Sequence, residues 1–318
     1  MKKFLHFGLS VYILIGVTSL ILVNFLVHNY SKNINLVSPI PDFITYFKNN
    51  QVSTINLWFP NNNSSNQTIE ITATSGIAYD LTTNKILLSK NPKEKLPMAS
   101  LTKIMTAIIA LENKKTNNLY LVSKGDLVGE AVMGLSANEI LPLNDLLYGL
   151  ILLSGNDAAE TLASNFVGGR TAFIKAMNDK VKSLGLSDTN FTNPSGLEGD
   201  GLQYTTAYDL LVITKYALDK FPTFNMIVST FNYNIEATST HKAFYLENET
   251  SLISSYPGVK GVKTGYTPEA GLCLVTYLDY KEHRIIAVLL NSSNRRQEMK
   301  DLLDFALSSQ GIKPPPHI

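Results

Sequence analysis

Pro97-Met98-Ala99-Ser100-Leu101-Thr102-Lys103-Ile104-Met105-Thr106-Ala107 is the stretch around which the rest of the chain is arranged. Leu101, Ile104, Met105, Ile108 and Leu111 recur at helical spacing, and Pro97 marks the entry, which predicts a buried helix beginning near Ser100. On such a helix Ser100 and Lys103 share one face. A hydroxyl at the positive end of a helix then has an amine one turn away, and burial or a neighbouring cation lowers the pKa of that amine until it serves as a base. The S-x-x-K pattern by itself occurs about once by chance in a chain of this length. Ser239-Thr240-His241-Lys242 is such a match, in a polar stretch with no apolar period after it.

The sequence divides around that helix. Residues 1–27 open with Met1-Lys2-Lys3 and continue as an apolar run long enough to span a bilayer, which predicts a transmembrane anchor or uncleaved signal with a cytoplasmic N-terminus. Residues 28–69, rich in Asn, Ser and Pro, read as a linker, although Phe43, Tyr46, Phe47, Trp58 and Phe59 are too apolar for a free tether. Residues 70–310 carry the folded domain and residues 311–318 a tail. Within the domain, Ile71 to Lys90 reads as a β-hairpin, Leu143 to Leu184 as a helical middle, Asn193-Pro194-Ser195-Gly196 as a loop, and the end as three strands and a final helix. Strands at both ends of a helical middle predict an α+β fold, with an antiparallel sheet completed by both termini.

With 318 residues, 45% of them hydrophobic, the chain can bury a sizeable core. A net charge of +1 argues against nucleic acid as a partner. The single cysteine, Cys273, excludes an intrachain disulfide, and five scattered histidines show no metal-ligand spacing, so neither a metal nor a cofactor is implied.

Two further motifs stand downstream. Ser154-Gly155-Asn156 follows a strongly apolar helix at a glycine break, where polar side chains emerge. Lys263-Thr264-Gly265, followed by Tyr266 and Thr267, lies in a strand, where Gly265 allows a ligand backbone to come close. S-x-x-K, S-x-N and K-T-G in this order are the motif set of penicillin-binding proteins and class A β-lactamases. With Asp145-Leu146-Leu147-Tyr148-Gly149-Leu150, Asn193-Pro194-x-Gly196-Leu197 and Thr206-Ala207-x-Asp209-Leu210, the chain from about Ile71 to Leu303 resembles the D-alanyl-D-alanine carboxypeptidases, the low-molecular-mass penicillin-binding proteins of peptidase family S11. No E-x-x-x-N segment of the β-lactamase kind is found where it is needed.

The resemblance implies a penicillin-binding/β-lactamase-like transpeptidase fold with a helical subdomain. It implies a peptidoglycan stem peptide ending in D-Ala-D-Ala as substrate, β-lactams as covalent inhibitors, and a catalytic domain outside the cytoplasm of a bacterial cell, held to the membrane by the N-terminal helix. By the same resemblance Ser100 is the nucleophile and Lys103 its base. Ser154 and Lys263 relay a proton to the leaving amine, and Asn156 holds the substrate amide. Backbone N–H groups of Ser100 and Tyr266 form the oxyanion hole, and Lys263, Thr264, Thr267 and Arg295 or Arg296 meet the terminal carboxylate. The alternatives are a D,D-endopeptidase cutting cross-links with the same residues, and a β-lactam sensor or β-lactamase-like protein.

Overall fold

The computed structural model describes residues 69–317. The expected membrane anchor over 1–27 and the linker up to residue 68 lie outside the described residues, among which no helix is long and apolar enough to cross a membrane.

The sheet is antiparallel and five-stranded. Its hairpin β1 (Ser75–Asp80) and β2 (Lys85–Lys90) comes from the beginning of the domain, and β7 (Val259–Thr267), β8 (Gly271–Tyr280) and β9 (His283–Ser292) from its end, in the order β2-β1-β9-β8-β7. The first hairpin joins the last strand, Ile77 opposite Val288 and Tyr79 opposite Ile286, so the two ends of the domain complete one sheet as the sequence predicts. Both faces are covered, which explains why β9 reads as an unbroken apolar run. Ile286, Val288 and Leu290 pack into the core under the helical region, and Ile285, Ala287 and Leu289 into a second core under the last helix.

Between the hairpin and β7 lie α1 (Lys103–Glu112), the short strands β3 (Tyr120–Leu121) and β4 (Ile140–Leu141), α2 (Leu143–Leu152), α3 (Asn156–Ser164), α4 (Gly169–Ser183), α5 (Ala207–Lys220), α6 (Pro222–Val228), the hairpin β5 (Asn232–Ile235) and β6 (Phe244–Glu247), and the single turn α7 (Leu252–Ser255). The last helix, α8 (Arg295–Ser309), covers the far face of the sheet with Met299, Leu302, Leu303 and Ala306. α1 is buried on every side from Lys103 to Leu111, and a helix apolar all round belongs in the middle of a fold. Its start differs from the expectation. The α-helix begins at Lys103, and Ala99–Thr102 form a tighter 3-10 turn before it. Ala99 there takes a left-handed φ of 48°, a conformation that favours glycine.

The ends of the described chain are packed. Ile71 and Ala73 belong to the core under α8, and the His317 ring stacks on Tyr256 with its Nε2 2.9 Å from Asp304 Oδ2.

Candidate active site

Three segments meet at the Ser100 turn. The first is α1 itself, which carries Lys103 one turn beyond the serine. The second is the junction of α2 and α3: α2 ends at Leu152, Ser154 adopts a left-handed φ of 57°, and Asn156 begins α3. Backbone strain on both Ala99 and Ser154 costs on the order of 1–3 kcal/mol per residue and is held by the packing around them. The third is β7, the edge strand of the sheet. Gly265 of β7 lies against the turn so closely that a Cβ there would stand 3.1 Å from the Met98 carbonyl oxygen and 3.2 Å from the Ser100 nitrogen. A side chain at this position would push the strand away from the serine, which is the physical reason for glycine.

The Lys103 side chain is completely buried, and its Nζ has three partners: Ser100 Oγ at 2.8 Å, Asn156 Oδ1 at 2.7 Å and the Ser195 carbonyl oxygen at 2.6 Å. The partners are chemically unequal. Asn156 Oδ1 and the Ser195 carbonyl can only accept, whereas a hydroxyl can also donate. A neutral amine therefore gives its two hydrogens to these acceptors and turns its lone pair to the Ser100 hydroxyl, the arrangement of a general base with its nucleophile. Burial holds the Lys103 pKa well below the ordinary lysine value, and the positive charge of Lys263 lowers it further. The Asn156 amide is fixed in the required sense because its Nδ2 donates to the Gly129 carbonyl at 3.2 Å.

Lys263 is 1% exposed and donates to the Thr264 carbonyl oxygen at 3.0 Å. Burial pushes its pKa down to about 8, with Arg295 acting in the same direction and Glu249 against it. Ser154 and Thr264 are both buried, whereas the Tyr266 side chain stands at the rim, 61% exposed.

The two arginines separate clearly. Arg295 is half-buried and donates from Nη1 to the Gly265 carbonyl at 2.5 Å and to the Cys273 carbonyl at 3.4 Å, so it braces β7. Arg296 is exposed on the first turn of α8. Thr267 departs from its expected part. Its hydroxyl donates to Glu198 Oε1 at 2.9 Å and accepts from the Ala270 N–H at 3.1 Å. A hydroxyl has one proton, and here Glu198 holds it, so Thr267 offers no donor to an incoming carboxylate in this arrangement.

Four contributors were not named as site residues by the sequence. The Ser195 carbonyl enters through the Asn193–Gly196 loop, where Asn193 Oδ1 accepts from the Ser195 and Gly196 N–H groups and fixes the bend. Asp157 accepts from the backbone N–H groups of Met133, Gly134 and Leu135 and pins that segment beside Asn156. Glu198 holds Thr267. Glu249, exposed, has its backbone N–H on the Leu152 carbonyl and is the acid whose field reaches Lys103, Lys263 and Arg295 together. Position beside a glycine or Asn-Pro bend was the available signal for the first two. The acids carry none, since they are brought to the cleft by loops remote in sequence. Among the described residues no cluster of His, Cys, Asp and Glu is placed to hold a metal ion.

Residues 61–294 match the family model described as D-alanyl-D-alanine carboxypeptidase. The D-alanyl-D-alanine carboxypeptidase DacF of Bacillus subtilis is 35% identical over 251 residues, covering 76% of this chain and 64% of its own length. The chain thus spans slightly less than two thirds of this curated relative. Among solved structures, the Streptomyces K15 DD-transpeptidase superposes with a TM-score of 0.71 at 30% identity, over 76% of this chain and 98% of that one. Penicillin-binding protein D2 of Listeria monocytogenes in its cefotaxime-bound form superposes with a TM-score of 0.66 at 28% identity, over 75% and 98% of the two chains.

Proposed function

The chain belongs to the D-alanyl-D-alanine carboxypeptidase family, peptidase family S11, and on that premise we propose that it is a serine-type D-Ala-D-Ala carboxypeptidase acting on peptidoglycan stem peptides. The single observation that carries the reading is the Lys103 amine, buried and placed 2.8 Å from Ser100 Oγ between two obligate acceptors.

In this reading the substrate lies extended along the free edge of β7, because an edge strand offers unpaired backbone groups to a peptide. Ser100 Oγ attacks the carbonyl between the two D-alanines while its proton passes to Lys103. The Ser100 and Tyr266 N–H groups take the oxyanion, an interaction worth about 3 kcal/mol per donor in such sites. The C–N bond breaks, the leaving amine takes a proton through Lys103, Ser154 and Lys263, and D-alanine departs. Water then splits the acyl-serine ester and Lys103 recovers its role. Asn156 orients both Lys103 and the substrate amide. Lys263 and Arg295 supply the positive field for the terminal carboxylate, and the Thr264 hydroxyl a hydrogen bond to it. A β-lactam acylates Ser100 by the same path and leaves slowly because its leaving group stays tethered; the cefotaxime-bound relative supports this extension. Residues 1–27 anchor the chain in a bacterial cell membrane, 28–69 hold the catalytic domain away from it on the outer side, and 311–318 form the tail.

The test is incubation of the full chain and its Ser100→Ala variant with a labelled penicillin, with a peptide ending in D-Ala-D-Ala, and with a cross-linked muropeptide. Ser100-dependent labelling together with release of D-alanine is the expected result. Labelling without D-alanine release points to a sensor, rapid penicillin turnover to a β-lactamase, and faster cleavage of the cross-link to an endopeptidase.

A further inference from the structure

Along the fully buried stretch of α1, from Lys103 to Leu111, two side chains are polar: Lys103, the base, and Thr106, one turn further on the same face. Valine has nearly the shape of threonine and would fill the same space. A hydroxyl buried in an apolar helix is therefore accounted for by what it binds. A threonine inside a helix ordinarily bonds the carbonyl one turn back. That carbonyl, of Thr102, is 3.5 Å from Thr106 Oγ1, whereas the Pro194 carbonyl oxygen is 2.6 Å away, so the single hydroxyl proton goes to Pro194.

Pro194 precedes Ser195, whose carbonyl meets Lys103 Nζ at 2.6 Å. The loop here consists of two consecutive peptide groups, each held at both ends. Their N–H groups, those of Ser195 and Gly196, donate to Asn193 Oδ1 at 3.2 and 2.7 Å. Their carbonyls turn to α1, Pro194 to Thr106 and Ser195 to Lys103. Gly196 is wedged against the Ser100 turn, since a Cβ on it would stand 2.0 Å from the Ala99 carbonyl oxygen. The loop thus cannot slide toward α1, and the freedom left to it is rotation of the peptide planes. We infer that Thr106 is a positioning residue of the active site: its hydroxyl fixes the Pro194–Ser195 peptide and so aims the Ser195 carbonyl at Lys103. This inference deepens the proposed function and rests on Lys103 acting as the base.

Without the hydroxyl, the Pro194 carbonyl is a buried acceptor with no donor. Its peptide turns to find one and carries the Ser195 carbonyl off Nζ. Two things then change at Lys103. The neutral amine keeps only Asn156 Oδ1 as a fixed acceptor, so it spins about its Cε–Nζ bond and its lone pair leaves Ser100 for part of the time. The ammonium form also loses an acceptor, which makes protonation harder. The first change slows serine attack, and the second moves the acid limb of the pH profile to lower pH.

The test compares Thr106→Val and Thr106→Ser with the unmodified full chain, in acylation by a labelled penicillin and in D-alanine release from a peptide ending in D-Ala-D-Ala, each across pH. The charged groups that reach Lys103 are Lys263 from β7, Asp157 and Glu160 from α3, and Glu249 ahead of α7; all are unchanged in both variants. In Thr106→Val, acylation and kcat fall about tenfold with little change in KM, and the acid limb moves down by roughly half a pH unit to one, the equivalent of one hydrogen bond. Thr106→Ser, which keeps the donor, restores the rate and the limb. If valine at this site prevents folding, Thr106→Ala, which removes the donor and adds no methyl, is read in the same way. A lower Tm with the limb unmoved means a structural part only and overturns the inference, as does a serine variant that behaves like valine. Acylation by penicillin without D-alanine release sinks the carboxypeptidase reading and still reports on Thr106 through the acylation rate. D-alanine release that is indifferent to Thr106→Val does the reverse.

Discussion

Lys103 and Lys263 are two buried amines in one cleft, and their environments assign them opposite states. Lys103 is surrounded by acceptors that suit a neutral amine, and burial with the nearby charge of Lys263 favours that form. Lys263 keeps its proton up to about 8. As pH falls, Lys103 gains a proton and loses the lone pair it turns to Ser100, which gives an acid limb. As pH rises through about 8, Lys263 loses the charge that faces the substrate carboxylate, and kcat/KM for a D-Ala-D-Ala peptide falls. In Lys263→Arg that alkaline limb moves out of range, because an arginine stays charged. A profile of the unmodified enzyme that runs flat through this region would refute the assignment. Asn156→Asp is the complementary change. A carboxylate 2.7 Å from Nζ stabilises the ammonium and raises the Lys103 pKa, so kcat drops about 10²–10⁴-fold while the acid limb shifts upward. At this scale the sequence named both lysines by motif. It could not show that Thr267 spends its proton on Glu198, because Glu198 is 69 residues away and meets it only through the fold.

Among the elements, the Ser100 turn and β7 depend on each other most closely. Gly265→Ala places a methyl within 3.3 Å of the Met98 oxygen, the Ser100 nitrogen and the Ala99 Cβ. We expect acylation by penicillin to slow by at least about tenfold with a small change in Tm, since the strand must shift only where it meets the turn. Unchanged acylation would mean that β7 is not held at the distance described. Ile108→Ala acts differently: Ile108 is fully buried in the middle of α1, remote from the reacting groups, and its truncation costs about 2–5 kcal/mol of stability measured by denaturant unfolding. The apolar period of α1, the hairpin strands and the three final strands were all legible in the sequence because their side chains repeat at 3.6 or 2 residues. The 3-10 start at Ala99–Thr102 was not, since its cause is packing against β7 and the Asn193–Gly196 loop.

The two ends of the domain are joined across the whole molecule at Asp80, the last residue of β1. Its carboxylate is buried between β9 and α8, with His283 Nδ1 at 2.6 Å, Gln310 Nε2 at 2.9 Å and Thr83 Oγ1 at 2.9 Å. Burial alone would raise its pKa, but the hydrogen bonds from His283, Thr82 and Thr83 outweigh that and hold it below the usual 3.8. A carboxyl whose pKa is depressed on folding stabilises the fold above its unfolded value, and that contribution fades as pH falls through the folded one. Asp80→Asn therefore has a lower Tm than the unmodified chain at neutral pH, and the gap narrows in acid below about 4. A gap that is constant across this range would leave Asp80 without the electrostatic part given to it here.

The sequence by itself determined the first hairpin, the helical middle, the three final strands and last helix, the sheet built from both ends of the domain, and the order of the three motifs, because periodicity and short motifs are local properties of a chain. Only the tertiary structure decided which atoms surround each amine. It brought the Ser195 carbonyl and Asn156 to Lys103, turned Arg295 and not Arg296 toward β7, and gave the Thr267 proton to Glu198. These are contacts between segments far apart along the chain, and a buried group's charge and free donors follow from the neighbours that burial imposes on it.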